Sequence, residues 1–129
     1  MSQKIAVYGS LKKGFYNHRT SMGEIVGRAV ISGAMYLNSS YPHLYRPEDS
    51  EAELVRDYPV EIYNLEDNDY LGIRAMELGA GYQEVHVALN DEEGNIHNAI
   101  VFYSKDRENK GNWVEAYNEE TAPFALANR

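Results

Sequence analysis

The sequence predicts an α+β protein: a small, mixed, mostly antiparallel sheet, curved or barrel-like, carrying one principal helix. Three observations lead there. Short β-branched and aromatic runs recur between turn residues, and glycines at 27 and 33 interrupt the longest of them. Only one segment, residues 66–78, joins helical spacing to clear start and stop signals.

Taken in order, residues 3–9 form the first strand, because Ile5, Ala6, Val7 and Tyr8 make a continuous apolar run that stops at Gly9. Residues 10–22, with Gly14, Asn17 and Ser21, follow as a loop. In EIVGRAVISGAMYL, from Glu24 to Leu37, the two glycines mark the bends or bulges that curve a sheet. Pro42 and Pro47 keep any strand in SSYPHLYRPEDSEAEL short. YPVEIYNL, residues 58–65, alternates as a half-buried strand does.

The helix spans Glu66 to Leu78, with acidic residues in its first turn and Gly79 and Gly81 to end it. YQEVHVALNDEEGNIHNAIVFYS then reads as a hairpin turning at Asp91 to Asn95, where Gly94 accepts positive φ. The C-terminal tail, with Trp113, Tyr117 and Phe124 among polar residues, is expected to pack as an irregular segment or a short helix.

At 129 residues the chain is expected to be one domain, 1–129, with one site. The 20 acidic against 12 basic side chains give a formal charge of -8, which opposes a phosphate backbone and an anionic membrane surface. No nucleic-acid or membrane partner is therefore expected. The chain has no cysteine, which excludes disulfides, thiolate metal sites and cysteine nucleophiles. MSQKIAVYG lacks the apolar core of a signal peptide and no later run is long enough to span a bilayer, so the expectation is a soluble, cytoplasmic protein.

The stretch AVYGSLKKGFYN, residues 6–17, has the look of a loop that holds something. Gly9 and Gly14 match the first half of the phosphate-loop pattern, but Phe15 and Tyr16 stand where its lysine and hydroxyl residue belong. Ser10 has no recognisable histidine partner among the four in the chain, so it reads as a turn or hydrogen-bonding residue rather than a nucleophile. Two readings stay open: backbone N–H groups of the turn hold a carboxylate or oxyanion, or Gly9 and Ser10 merely end a strand.

Glu77 lies seven and four residues after Tyr70 and Ile73, close to their helical stripe, and in the last turn of the helix. Sparse solvation and the negative end of the helix dipole would both raise its pKa toward the range of a neutral-pH acid/base. The alternative is a solvated surface residue paired with Arg74. Lys12 and Lys13 are expected to be solvated and available to steer an anion. His18 and His43 fall in polar loops, while His86 and His97 sit on opposite arms of the hairpin and could face each other. Two histidines without a third ligand do not make a metal site.

The segments VYGSLKKGFYN, YP at 41–42, PVEIYNLED, ELGAGYQEVHV, AIVFYS and GNW occur in the order found in gamma-glutamylcyclotransferase-like proteins, and from Ile5 to Trp113 the chain resembles that family. The resemblance implies a small mixed barrel with helices packed on it. It also implies that Tyr8, Gly9, Ser10 and Leu11 cradle the substrate, that Glu77 is the acid/base, and that Tyr103 lines the pocket. From the residues alone, Tyr103 is equally an ordinary core tyrosine.

The implied activity is cyclisation of a γ-glutamyl amine or peptide to 5-oxoproline with release of the amine, acting on a small molecule without metal or cofactor. The alternative is a non-catalytic module that binds a small ligand or a partner in the same pocket, with the acidic stretch Glu48 to Glu53 as a partner surface. Glu77 favours the enzyme, since a binder has little need of a carboxylate so placed.

Overall fold

The computed structural model describes residues 2–15, 17–38, 41–105, 111–118 and 120–122; Tyr16 and Phe124 lie outside them. Among the described residues the chain forms β1 (Ser2–Val7), β2 (Ile25–Asn38), β3 (Tyr41–Tyr45), β4 (Arg56–Glu66), α1 (Asp67–Gly79), β5 (Tyr82–Asn90), β6 (Ile96–Ser104) and β7 (Asn112–Val114). Short 3-10 turns occupy Thr20–Met22, Pro47–Asp49 and Ala52–Leu54. The α+β class is as the sequence implies, with one main helix.

The strands run β3-β2-β4-β1-β6-β5 across the sheet, and β7 pairs with β2. Every pairing is antiparallel except β1 with β6, where Ile5 lies opposite Ile100. The path ends in β3 and β5, so the sheet is curved without closing by hydrogen bonds into a full barrel. Pro42 is tolerated because β3 is a terminal strand, where a missing N–H breaks no ladder on the outer side.

Alternation along the central strands divides the interior in two. Ala6, Val60, Ile62, Ala99 and Val101 share one core with Ile31, Met35 and Leu44. Ile5, Val7, Tyr63, Leu65, Ile100 and Phe102 point the other way, into a second core closed by Ile73, Tyr70 and Met76 of α1. A sheet covered on both faces needs strands that are apolar at successive positions. That is why β1 and β6 read as continuous apolar runs rather than as alternating ones.

β2 is long because it serves two sets of partners. Its first part pairs with β4 as far as Gly33 opposite Arg56, with a register shift between Ile25 and Gly27. From Ala34 opposite Tyr45 it pairs with β3, and Met35 to Leu37 also pair with β7. The bulge expected near Gly27 is present, and Gly33 marks the handover of partners.

Two expectations are corrected. Asn112–Val114 is a strand, not an irregular segment or helix; three residues are too few to show a period, and Trp113 is held by donating its indole N–H to Leu54 O at 2.9 Å. His86 and His97 do not face each other, because the hairpin register sets His86 opposite Ile100 and His97 opposite Leu89. His97 is instead buried, with Nε2 2.7 Å from Asp91 Oδ2.

The space at Gly33 is filled: a Cβ there would lie 2.5 Å from Tyr45 O and 2.8 Å from Leu44 Cδ1. Gly33→Ala should therefore destabilise the fold by about 1–3 kcal/mol through strain in the β2–β3 pairing. Urea unfolding checks this, and an unchanged midpoint would show that β3 yields at no cost.

Candidate active site

The cavity forms where β1 runs out of partners. Val7 is the last residue of the strand, and Tyr8 is buried with its hydroxyl donating to Phe102 O at 2.6 Å. The chain then turns sharply, with Lys12 N–H donating to Gly9 O at 2.9 Å. Gly9 carries no side chain because none fits: a Cβ would stand 2.4 Å from Pro42 Cγ. Asn17 N–H donates to Ser10 O at 3.0 Å, and His18 Nδ1 lies 3.0 Å from Leu11 O. Two successive carbonyls of the turn are thus tied to one strap. In a planar trans peptide the N–H points away from its carbonyl, so the Leu11 N–H is turned away from Asn17.

α1 brings the opposite wall. Asp67 and Asp69 occupy its first turn, where carboxylates complement the dipole. Its last carbonyls are capped by the N–H groups of Ala80 and Gly81, and Gly81 takes φ 94° as the chain reverses into β5. Ile73 is fully buried, and one helical turn later Glu77 reaches the cavity on that side. The Tyr82 hydroxyl donates to Pro42 O at 2.6 Å, and its ring stacks on His43 with centroids 5.5 Å apart.

Tyr8, Gly9, Ser10, Leu11 and Glu77 all line one cavity of about 170 Å³. Tyr103 does not line it: on β6, Phe102 faces the cavity, whereas Tyr103 points into the other core and donates its hydroxyl to Ser32 O at 3.2 Å. The period of two in a strand decides this. Ala6 and Val7 of β1, with Asn17, Pro42, Met76, Ala80 and Tyr82, complete the wall. In the sequence, Pro42 and Tyr82 belong to the resembling segments without being assigned to the site. Asn17 likewise ends the resembling segment VYGSLKKGFYN without being assigned to the site.

Burial raises the Glu77 pKa to about 7. Arg74, the partner offered by the sequence, bonds Glu84 instead, Nε to Oε2 at 3.1 Å. Tyr8 is held well above its ordinary range by burial and by neighbouring Tyr82 and Glu77, so it is a neutral donor. Lys12 is not solvated as expected. Its ammonium donates to Tyr117 O at 3.0 Å beside the Phe15 and Tyr117 rings, and burial lowers its pKa against the pull of Glu61. Lys13 is exposed, its backbone N–H donating to Glu61.

Within the acidic stretch, Asp49 bonds Arg46 at 3.2 Å and the residues fold into their own 3-10 turns. Among the described residues, no cluster of three or more His, Asp or Glu side chains is placed to hold a metal, and no helix is long and apolar enough to cross a membrane.

A turn of backbone groups and a half-neutral carboxyl line one mostly apolar cavity, a combination chemically able to hold a small molecule and exchange a proton with it. The sequence from residue 5 to 119 matches the family described as Gamma-glutamyl cyclotransferase, AIG2-like, and the chain belongs to that family. No curated protein sequence matches it.

Among solved structures, the fold is similar to an AIG2-like protein from Mus musculus, with a TM-score of 0.73 at 18% identity over 99% of this chain and 96% of that one. It is also similar to an uncharacterized protein from Pyrococcus horikoshii, with a TM-score of 0.69 at 23% identity over 93% and 92% of the two chains. A gamma-glutamyl cyclotransferase gives 0.56 at 13% identity over 90% and 70%. These likenesses concern the fold.

The Glu77 proton supplies a test of the site. An unfolded chain releases it near 4.5 whereas the folded protein holds it to about 7. Ionising Glu77 therefore costs folding stability as pH rises through that window. Glu77→Gln should match the wild type at pH 4 and exceed it by on the order of 2–3 kcal/mol at pH 8. Denaturant unfolding at fixed pH measures the difference, and equal offsets at the two pH values would place Glu77 in water.

Proposed function

We propose that the protein cyclises a γ-glutamyl amine or peptide to 5-oxoproline. The observation that carries this reading is the half-buried Glu77, its pKa raised to about 7 by desolvation, opposite the Tyr8 to Leu11 turn in one cavity. The α-amino group of the γ-glutamyl unit attacks its own side-chain amide carbonyl, the tetrahedral intermediate collapses, and the C–N bond to the leaving amine breaks. Three obstacles oppose this in water: the amine is protonated, the amide is a weak electrophile, and the chain seldom folds back on itself.

The turn addresses geometry. Backbone N–H groups of residues 9–11 would hold the γ-glutamyl portion bent for attack, and such positioning is worth several kcal/mol, up to about 7–11 in favourable cases. An N–H directed at the carbonyl oxygen would also stabilise the oxyanion.

Glu77 addresses protonation, and magnitudes decide whether it is fit for the role. An α-ammonium group titrates near 8. An ordinary glutamate near 4.5 would receive its proton uphill by more than three units, about 5 kcal/mol, whereas a base at about 7 leaves a gap of roughly one unit. Glu77 then returns that proton to the departing nitrogen, and the second proton, which the attacking nitrogen sheds as the lactam forms, leaves with the released amine as its ammonium. No step calls on a metal or a cofactor. Leucine, methionine and aromatic side chains around the carboxyl group exclude water and so sustain its proton affinity.

Incubation with a panel of γ-glutamyl amines, amino acids and peptides, with 5-oxoproline measured by mass spectrometry, tests the reading. At least one member should be converted, with kcat rising through an apparent pKa of about 7. Glu77→Gln should lower kcat by about two to four powers of ten with little change in KM. No product from any member, or undiminished product from the variant, would overturn the assignment. A variant that binds substrate without turning it over separates catalysis from capture.

A further inference from the structure

We propose that Asn17 is a positioning residue that makes the Ser10 hydroxyl a hydrogen-bond donor to a ligand oxygen in this cavity. Asn17 Nδ2 donates to Ser10 Oγ at 2.9 Å, and Asn17 N–H donates to Ser10 O at 3.0 Å. Both residues line the cavity, and Ser10 is only 9% exposed.

A hydroxyl has one proton and two lone pairs. With one lone pair occupied by the Asn17 side-chain N–H, the second lone pair and the proton remain, and it is the proton that needs an acceptor. Among the described residues no acceptor is bonded to that proton, so a ligand oxygen is the partner that satisfies it. A buried hydroxyl without an acceptor is costly, which favours a carboxylate or carbonyl oxygen at this point over an amine or an apolar group.

The polarity of position 17 is therefore the selective feature. An acceptor-only side chain of the same size would take the Ser10 proton itself and present an oxygen lone pair to the ligand. Asparagine supplies the donor, while its backbone N–H holds the turn that carries Ser10. The choice of a γ-glutamyl carboxylate or carbonyl as the acceptor rests on the function proposed above; the direction of the hydrogen bond does not.

The test uses the full chain and four variants: Ser10→Ala, Asn17→Ala, Asn17→Asp and the double Ser10→Ala/Asn17→Ala. Two measurements are made, turnover of a γ-glutamyl amide converted by the wild type and binding of glutarate, a non-reacting carboxylate, by calorimetry. Each alanine variant should raise KM and the glutarate Kd about tenfold with kcat within about threefold. The double variant should also lose about tenfold, because both substitutions remove the same interaction. Asn17→Asp, which keeps the side-chain size and the backbone bond, should lose at least as much, and its unchanged thermal melt separates this from unfolding.

A double variant that loses about a hundredfold, an Asn17→Asp that binds like the wild type, or no glutarate binding by the wild type would each overturn the proposal. If glutarate follows the expected pattern while no γ-glutamyl compound is converted, the positioning role stands and the proposed reaction falls. If a γ-glutamyl compound is converted without the pattern, the reaction stands and the positioning role falls.

Discussion

The constraint on which the rest of this structure depends is the position of β1, paired on one edge with β4 and on the other with β6. A strand bonded on both sides cannot slide, because a one-residue slip would exchange the two faces of its apolar run. Ile5 and Val7 are thereby committed to the core under α1, and Ala6 and Tyr8 to the opposite core. The point where the chain leaves the sheet, just after Val7, is fixed with the same force. Everything that lines the cavity is placed relative to that exit: the turn continues from it, Phe102 flanks it on β6, and α1 packs over it.

Close backbone approach then sets the mouth of the cavity. Gly9 touches Pro42, and Pro42 O is held by the Tyr82 hydroxyl, whose ring rests on His43. The N-terminal turn, the edge strand β3 and the start of β5 are in this way coupled through one proline. Tyr8 adds a fourth tie, to Phe102 O. The hydroxyls of two tyrosines satisfy backbone carbonyls at a place where the sheet ladder has ended, so buried polar groups there are paired without bringing charge into the wall. Glu77 is the charge-bearing group that remains.

Much of this was legible in the sequence, for definite reasons. The glycine-stopped run at residues 5–8, the capped helix at 66–78 and the Gly94 hairpin are local patterns whose physics acts within a few residues, and each stands within two residues of its expected place. The bulge near Gly27 is of the same kind. The convergence of the Tyr8 to Leu11 turn and Glu77 could be expected only by resemblance, since no local rule brings residue 77 to residue 10. Tyr103 shows the limit in the other direction. Its place on a late strand was legible, but its face depends on a register that Ile5 sets by pairing opposite Ile100. The tie of Lys12 to Tyr117 O was invisible for the same reason, because it joins residues 105 positions apart.

That tie matters to the proposed chemistry. A lysine ammonium beside Glu77 would favour the carboxylate and draw its pKa back down, by about one to three units at ion-pair distance. The base would then be too weak to accept an α-ammonium proton without a large uphill step. The sequence places two cations, Lys12 and Lys13, immediately after the Tyr8 to Leu11 turn, so the hazard is real. The fold removes it by bonding Lys12 to Tyr117 O over two aromatic rings and by turning Lys13 outward, while Arg74 is spent on Glu84. The proposed acid/base site, in a chain of charge -8, has no general shortage of negative potential; what it must avoid is one misplaced positive charge. The aromatic residues Phe15 and Tyr117, which do not line the cavity, thus serve the site by giving Lys12 somewhere else to be.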